Sequence, residues 1–484
     1  MSNQEKQSKT SEDERLRRFL RMFDNSWKYA SSNYHTQWDE YFKLYQNKRV
    51  HRSHDGVVSV FVPMVRSSVD TIVASLFNSN PSVNYTPNYR DQEQDTKVLN
   101  ELYADFARQD GWVQKNKDNG RQGIITGNMV SYYEYVNNKN GGYVHKINVP
   151  IRDMVIDPNS HGLEDCEYVG RRFETSLKAL KEAKIYDVKA GKEVPRYTNL
   201  DKVTVGSGKS TGSEFDKQRK EASLGSTNTT DNNRIEIIEI WTRKEVAVIA
   251  GRSVLIEYRE NPHYAVAKAQ FEQRKAEHEL AKMAYEQELA RWNSDRSLTL
   301  QSTGEDIGEF QGEVVGEFDE SFDETSAGLL PFAHGRIYRD ISLPYGSGDV
   351  EIIADLQELL NELTELNIEA GLFSVFPEKT IDPKFASSID DLDPFPGKIY
   401  PVPKGAMEWN TPPTIPNNIF NERLNTKDEI REAISVSQIS KGVSATDTTT
   451  ATEIKALMGN ADTRIQEKAQ TLANDFFAQE ASIV

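Results

Sequence analysis

Apolar side chains recur at helical spacing through most of the chain, and two stretches carry the pattern furthest. The first follows Ser11 and Glu14, spaced as a capping box, and runs to about Lys48 with Leu16, Phe19, Leu20, Phe23, Trp27, Tyr34, Trp38, Tyr41 and Tyr45. So dense an aromatic row predicts a packing face rather than a ligand cage. The second covers residues 348–370. There Ile352, Leu356, Leu359, Leu363, Leu366 and Ala370 repeat at intervals of 4, 3, 4, 3 and 4. Glu351, Asp355, Glu358, Glu362, Glu365 and Glu369 keep the same spacing one position earlier. On a helix this sets an acidic stripe beside an apolar one for about six turns, roughly 33 Å at ~1.5 Å per residue. The stretch holds seven carboxylates and no Lys or Arg. Like charges stacked four apart destabilise an isolated helix, so something outside the helix must explain them.

Around these two stretches the pattern is mixed. Val57–Val62 predicts a short strand, and Pro63 opens a helix through Phe77. A helix over about 92–110 places Val98, Leu99, Leu102, Tyr103 and Phe106 toward a core, and another runs from Trp112 to about Ile125. Val130–Tyr135 and Tyr143–Val149 read as strands joined by a turn with an Asn-Gly step. Arg152–Asn159 reads as a strand and turn, and 175–190 as a short basic helix. Strands follow at Ile235–Trp241, Val246–Ala250 and Val254–Tyr258. Residues 203–232, rich in Gly, Ser, Thr, Lys and Asn, predict a mobile loop, and residues 1–10 a disordered N-terminus. Tyr264–Asn293 reads as an exposed helix with one sparse apolar stripe, and 305–324 has nine acidic and no basic side chains, the pattern of an acidic linker. Together 264–327 looks like an insertion. Nine prolines between 373 and 416 exclude a long helix there and leave a small unit with a short strand at Lys398–Val402. A helix over Asn417–Val436, a Ser/Thr/Gly-rich loop at Ser437–Thr450 and a last helix over Ala451–Gln479 complete an α+β, mainly helical chain.

The totals narrow the function. At 484 residues the chain suits two or three domains or one elongated subunit, and an apolar share of 37 % points to surface that is buried on assembly. The formal charge of −17 would repel a polyanion on average, against the basic excess of a protein that grips phosphates. Cys166 is the only cysteine, which excludes an internal disulfide and fits a reducing compartment. No run of 18 apolar residues and no signal-peptide core appear, so a soluble protein made in a cytoplasm is expected.

No catalytic constellation stands out. Val205–Thr211 contains Gly-Ser-Gly-Lys-Ser but has Val203 where a phosphate loop needs glycine, and reads as a flexible loop. The nearest histidine pair, His51 and His54, reads as surface. Six carboxylates in one regular row are not an acid/base pair, which needs two in different environments. No enzyme, cofactor or metal is therefore expected. For the acidic stripe three readings stand: a solvated helix face, a carboxylate metal array, or a surface that lies close to a polyanion without holding it.

The order of parts resembles the portal proteins of tailed bacteriophages over roughly 25–250 and 329–480. The resemblance rests on Val60-Phe-Val-Pro-Met-Val-Arg-Ser-Ser-Val-Asp-Thr-Ile-Val-Ala74, Gly123-Ile-Ile-Thr-Gly-Asn-Met-Val130, Asp153-Met-Val-Ile-Asp-Pro158, and Pro344-Tyr-Gly-Ser-Gly-Asp-Val-Glu351 leading into Asp355-Leu-Gln-Glu-Leu-Leu-Asn361. It implies a ring, usually of twelve subunits, through which double-stranded DNA enters and leaves a capsid. In its terms 11–347 and 451–484 form a wing, with the helical crown of larger relatives expected to be absent or truncated. Residues 348–372 and 417–436 form the stem, 373–416 the clip, and 437–450 a tunnel loop with Ser440, Lys441, Ser444, Thr446 and Thr448. Implied partners are the terminase motor, the major capsid and scaffolding proteins and a head–tail adaptor, with no membrane. The acidic stripe then becomes a stem feature facing the DNA path or the outer collar, and reversing Glu358, Glu362 and Glu365 to Lys is expected to impair DNA passage. A head–tail adaptor or tail ring component, and a nucleotide-binding enzyme using Gly206–Thr211, are the alternatives.

Overall fold

The computed structural model describes residues 3–50, 58–77, 83–87, 93–138, 141–187, 192–203, 234–302, 321–322, 328–386, 403–410, 417–434 and 463–484. The aromatic N-terminal stretch is helical from end to end: α1 (Asn3–Ala30), a π-turn at Ser31–His35, and α2 (Thr36–Tyr45). Helix α1 begins ahead of the expected start at Ser11, because residues 3–10 are mostly good helix formers. The wider π-turn rotates the face that follows it. Phe19 and Phe23 of α1 enter one core, while Trp38, Tyr41 and Leu44 of α2 enter another.

Helix α3 (Met64–Leu76) buries Met64, Val65, Val69, Ile72 and Val73 in that second, larger core. Helices α4 (Glu93–Gln109) and α5 (Trp112–Thr126) turn at Gly111, whose φ is +64°. Only Tyr103, Phe106 and Ala107 of α4 are buried among its apolar residues; Val98, Leu99 and Leu102, expected inside, are exposed. The packed side of α4 is narrower than its apolar content, because Thr96 occupies the buried face.

The predicted hairpin forms as β1 (Asn128–Asn138) and β2 (Gly141–Asn148), and it is the centre and one edge of a three-stranded antiparallel sheet. A five-stranded antiparallel sheet follows. It starts with β3 (Met154–Ile156) and β4 (Tyr168–Ser176). Helix α6 (Leu177–Glu182) and a small hairpin, β5 (Lys184–Asp187) and β6 (Lys192–Pro195), intervene. Strands β7 (Arg234–Thr242), β8 (Glu245–Ala250) and β9 (Val254–Glu260) complete the order β3-β4-β7-β8-β9. This sheet is covered on both faces. Phe19 and Phe23 lie against Ile238, Ile240 and Ala247, and Leu180 and Val203 against Ile235, Ile237 and Val248. Two-sided burial explains why β7 reads as a nearly continuous apolar run. Its one fully buried acid, Glu239, accepts from Arg171 Nε at 2.7 Å. Burial raises the carboxyl, but Arg171 and Arg196 outweigh it and hold the group below the usual carboxylate value.

Helix α7 (Pro262–Ser302) extends beyond the expected 264–293 and measures about 60 Å at ~1.5 Å per residue. Phe322 returns to its base, with its ring 5.8 Å from Tyr264 and 5.1 Å from Phe271. Strand β10 (Phe332–Arg336) then pairs with β1 and closes the three-stranded sheet. The remaining elements are α8 (Asp349–Val375), β11 (Lys379–Ile381), α9 (Pro383–Ala386), β12 (Met407–Trp409) and α10 (Asn417–Ala433). After them come α11 over 463–472, a π-turn at Ala473–Phe477 and α12 (Ala478–Ile483). Strands β11 and β12 pair antiparallel between the two helices expected to form the stem. The expected strand at 398–402, most of the 203–232 and 305–324 segments, and the 437–450 loop lie outside the described residues.

The C-terminal segment is pinned to the body by ion pairs whose carboxylates are buried. Lys468 Nζ lies 2.6 Å from Asp349 Oδ1, and Arg339 Nη1 3.2 Å from Asp475 Oδ1. Glu480, fully buried, takes the ammonium of Lys146 and the hydroxyls of Tyr103 and Tyr133. No helix among the described residues is long and apolar enough to cross a membrane.

Candidate functional site

The site is built on α8. Its entry is fixed by a close backbone crossing. A Cβ on Gly348 would stand 2.7 Å from the nitrogen of Gly127 and 2.8 Å from the carbonyl of Ile124. Gly127 has φ +83°, and a Cβ there would meet the backbone of Ser347 at 2.3 Å. Asn128 locks the crossing: its Nδ2 donates to the Gly346 carbonyl at 3.0 Å, and the Gly346 N–H donates to its Oδ1 at 2.9 Å. His334 Nε2 also lies 2.9 Å from that oxygen. Asp349, in the first turn, takes the Tyr338 hydroxyl at 2.8 Å besides Lys468, a favourable place for a negative charge.

Along α8 the acidic row divides. Glu351 and Asp355 are exposed and Glu362 is half-buried. Glu365 and Glu369 meet an extended segment of the same chain, and Glu358 meets Arg49 and Val50 ahead of it. The N–H of Val58 donates to Glu369 Oε1 at 3.2 Å, and that of Val60 to Glu365 Oε1 at 3.0 Å. The N–H of Val62 donates to Asn361 Oδ1 at 3.0 Å, and that of Val65 to Gln357 Oε1 at 3.2 Å. The spacing explains the fit. Side chains four apart on a helix rise ~6.0 Å, and alternate N–H groups of an extended chain repeat at about 6.6 Å, so acceptors at 369, 365 and 361 match donors at 58, 60 and 62. Residues 58–62 of the expected strand are therefore an extended strap whose hydrogen-bonding partner is a row of helix side chains. Gln357 also caps the first turn of α3 and donates from Nε2 to the Val62 carbonyl at 2.7 Å.

Arg49 completes the rail. Its guanidinium lies 3.2 Å from Glu358 and 3.4 Å from Glu365, and the N–H of Val50 donates to Glu358 Oε1 at 3.2 Å. The side chain of Glu365 is 1 % exposed, so this member of the row is an internal anchor of the subunit. Sequence spacing located both strap carboxylates, Glu365 and Glu369, and Glu358 beside them, but gave no hint that the segment expected as a strand is their partner. Arg49, Gln357 and Asn361 were missed; the last two, polar and four apart beside an apolar row, are the available signal.

The apolar row behaves oppositely. Ile352, Leu359 and Leu366 are 47, 42 and 43 % exposed, and Phe373 is exposed as well. The inward face of α8 uses Val350, Ile353, Gln357, Leu360 and Thr364 instead. Helix α10 packs there through Ile430 and Ile434, with Arg423 Nε donating to Thr364 Oγ1 at 3.0 Å. Phe420 and Leu424 of α10 remain exposed.

Ser440, Lys441, Ser444, Thr446 and Thr448 lie outside the described residues, as does Gly206–Thr211. Among the described residues no group of three or more His, Cys, Asp or Glu side chains is placed to hold a metal ion. Cys166 is buried, and burial pushes its thiol up to about 12.

Comparison with known families matches the chain over residues 11–301 to the family described as phage P22-like portal protein. No curated protein matches the chain.

Proposed function

The chain belongs to the phage P22-like portal protein family, and from that premise we propose that it forms the ring-shaped channel at one vertex of a capsid. Double-stranded DNA passes through this ring without sequence-specific contact, inward during packaging and outward at ejection. The ring is a dodecamer, assembled in the host cytoplasm with the major capsid and scaffolding proteins. It docks the terminase motor first and the head–tail adaptor later. The observation that carries the reading is the family match over 11–301. It is supported by the two long helices α8 and α10, which bracket the β11–β12 unit as stem and clip. The subunit acts by position and charge, without catalytic residues. Twelve copies at −17 each would carry about −200, a field suited to a conduit rather than a clamp.

Within the stem, the members of the acidic row that the strap leaves open, Glu351 and Asp355, are the ones we assign to the DNA path. Lys441 and its neighbours in the 437–450 loop are assigned a transient touch on the DNA backbone. Imaging and mass measurement of the purified chain test the main proposal: rings with a central hole are expected, and a strict monomer under all conditions refutes it. Glu351→Lys with Asp355→Lys should leave rings intact and lower the yield of nuclease-protected DNA in packaging; an unchanged yield removes these two residues from the DNA path.

A further inference from the structure

Among the described residues the heptad row of α8 stays out of the buried core. Ile352, Leu359, Leu366 and Phe373 stand seven residues apart and all are exposed. Their direction is fixed by Thr364, which faces α10 through Arg423. At ~100° per residue Leu366 lies about 200° around the helix from Thr364, and Leu359 about 220°, so the row looks away from the subunit's own α10. A sustained a-type row on a helix of 27 residues is the pattern of a helix–helix seam, not of scattered surface apolar residues. On α10, Phe420 and Leu424 are 47 and 54 % exposed, and Lys427 and Arg431 follow on the same flank.

We infer that the row Ile352, Leu359, Leu366 and Phe373 is the seam on which the next copy of this chain lays the Phe420–Leu424 flank of its α10. This rests on the ring reading and names the residues that close the ring. Two arguments select a second copy as the occupant. The first is symmetry. In a closed ring, copies are related by rotation about one axis, so a residue meets its neighbour's residues at its own height. The Thr364–Arg423 bond sets that height for both helices. With the stem upright, Leu366 falls level with Phe420 and Leu424 of the next copy. The contact is heterologous, back of α8 to flank of α10, as a ring requires. The second is charge. Glu362 borders the row on α8, and Lys427 borders the opposing flank at nearly the same level, so docking brings opposite charges alongside.

Cysteine cross-linking of the full chain tests the seam. Cys166 is the only native cysteine and is buried, and Leu366 faces away from its own α10. A Leu366→Cys, Leu424→Cys chain should therefore give, on mild oxidation, a ladder of covalent oligomers on a non-reducing gel, while each single variant stays one band. Rings without a ladder overturn the seam and leave the portal reading intact. Wild-type protein that never forms rings overturns the portal reading itself. As a second arm, Leu359→Glu with Leu366→Glu should shift the native mass from ring to monomer with an unchanged thermal midpoint, since both positions are exposed in the single subunit. Rings that persist in this variant also overturn the seam.

Discussion

Truncating Glu365 to Ala should release the strap. Two losses follow. The Val60 N–H, bonded at 3.0 Å, loses its acceptor, which costs about 1–3 kcal/mol where water cannot replace it. Arg49, 11 % exposed, loses one of its two carboxylates, at 3.4 Å, but keeps Glu358 at 3.2 Å, so about 1 kcal/mol is a fair charge for that loss. The sum, about 2–4 kcal/mol, favours local opening of residues 58–62 by a factor of roughly 30 to 700, at ~1.4 kcal/mol per tenfold. Hydrogen exchange of the peptide containing Val58, Val60 and Val62 reads this opening directly. Exchange there should accelerate by that factor, with little change in the five-stranded sheet. Two controls sharpen the result. Glu365→Gln keeps a carbonyl oxygen for Val60 and should recover part of the protection. Glu351→Ala, on the same row but exposed and off the strap, should leave exchange unchanged. Equal acceleration by Glu351→Ala, or none by Glu365→Ala, would refute the rail.

Further outcomes follow from the packing. His35 and His334 are both buried; desolvation first, then Arg152 and Arg172 for His35 and Arg336 for His334, lower each from 6.5 to about 3. The folded value lies below the unfolded one, so the stability these neutral rings allow is complete above pH 6.5 and is lost as pH falls toward 3. At pH 5 each contributes about 2 kcal/mol of destabilisation at ~1.36 kcal/mol per unit. Urea unfolding of wild type and His35→Phe should thus diverge by that amount between pH 7.5 and 5, and parallel curves would contradict it. Gly127→Ala combines a φ of +83° with a Cβ 2.3 Å from the Ser347 backbone and should cost more than about 3 kcal/mol. Gly371→Ala, in a helix with nothing near its Cβ, should instead stabilise by up to about 1 kcal/mol. Thermal unfolding of the pair distinguishes a required glycine from a dispensable one.

How much of this was readable from the chain depends on where each partner lies. Patterns whose partner is next to them in sequence were plain: the hairpin β1–β2 from its Asn-Gly step, helix α3 from Pro63, the breadth of β7 from its continuous apolar run. The four family-like stretches were also visible, but only as words in order. The structure gives three of them a physical reason to occur together. The 60–74 stretch is seated on Gln357 and Asn361 of the stretch at 355–361, and Gly127 of the 123–130 stretch crosses Gly346 and Gly348. What could not be read was which stripe of α8 turns inward. Spacing shows that stripes exist and is silent on burial, and here the rule that the apolar stripe is the packed one fails. The packed face is Val350, Ile353, Gln357, Leu360, Asn361, Thr364 and Glu365, a mixed set in which Gln357, Asn361 and Glu365 answer to backbone donors far away in sequence and Thr364 to the Arg423 side chain. A backbone N–H carries no residue signature, so no inspection of residues 58–62 would reveal it as the partner.

The same fact resolves the feature that made α8 look unstable. A helix that must hold an extended chain along its side can use only acceptors if the chain presents its N–H edge, and any Lys or Arg in the row would face donors with a donor. Absence of basic residues from positions 357, 361, 365 and 369 is then a requirement of the rail. The repulsion among the carboxylates is offset where they are used: Asp349 by Lys468, Glu358 and Glu365 by Arg49, and Glu369 by the Val58 amide. The pull of each partner comes from a different part of the chain, namely the C-terminal helix, the end of α2 and the strap before α3. Helix α8 is thus tied to the rest of the subunit at three levels along its length by charges and amides. Its apolar row is left outward, so the helix is oriented from within before any neighbour arrives. A seam that is presented already oriented loses less entropy on assembly than one that must be ordered on contact, and in the proposed ring that saving would be repeated at every interface.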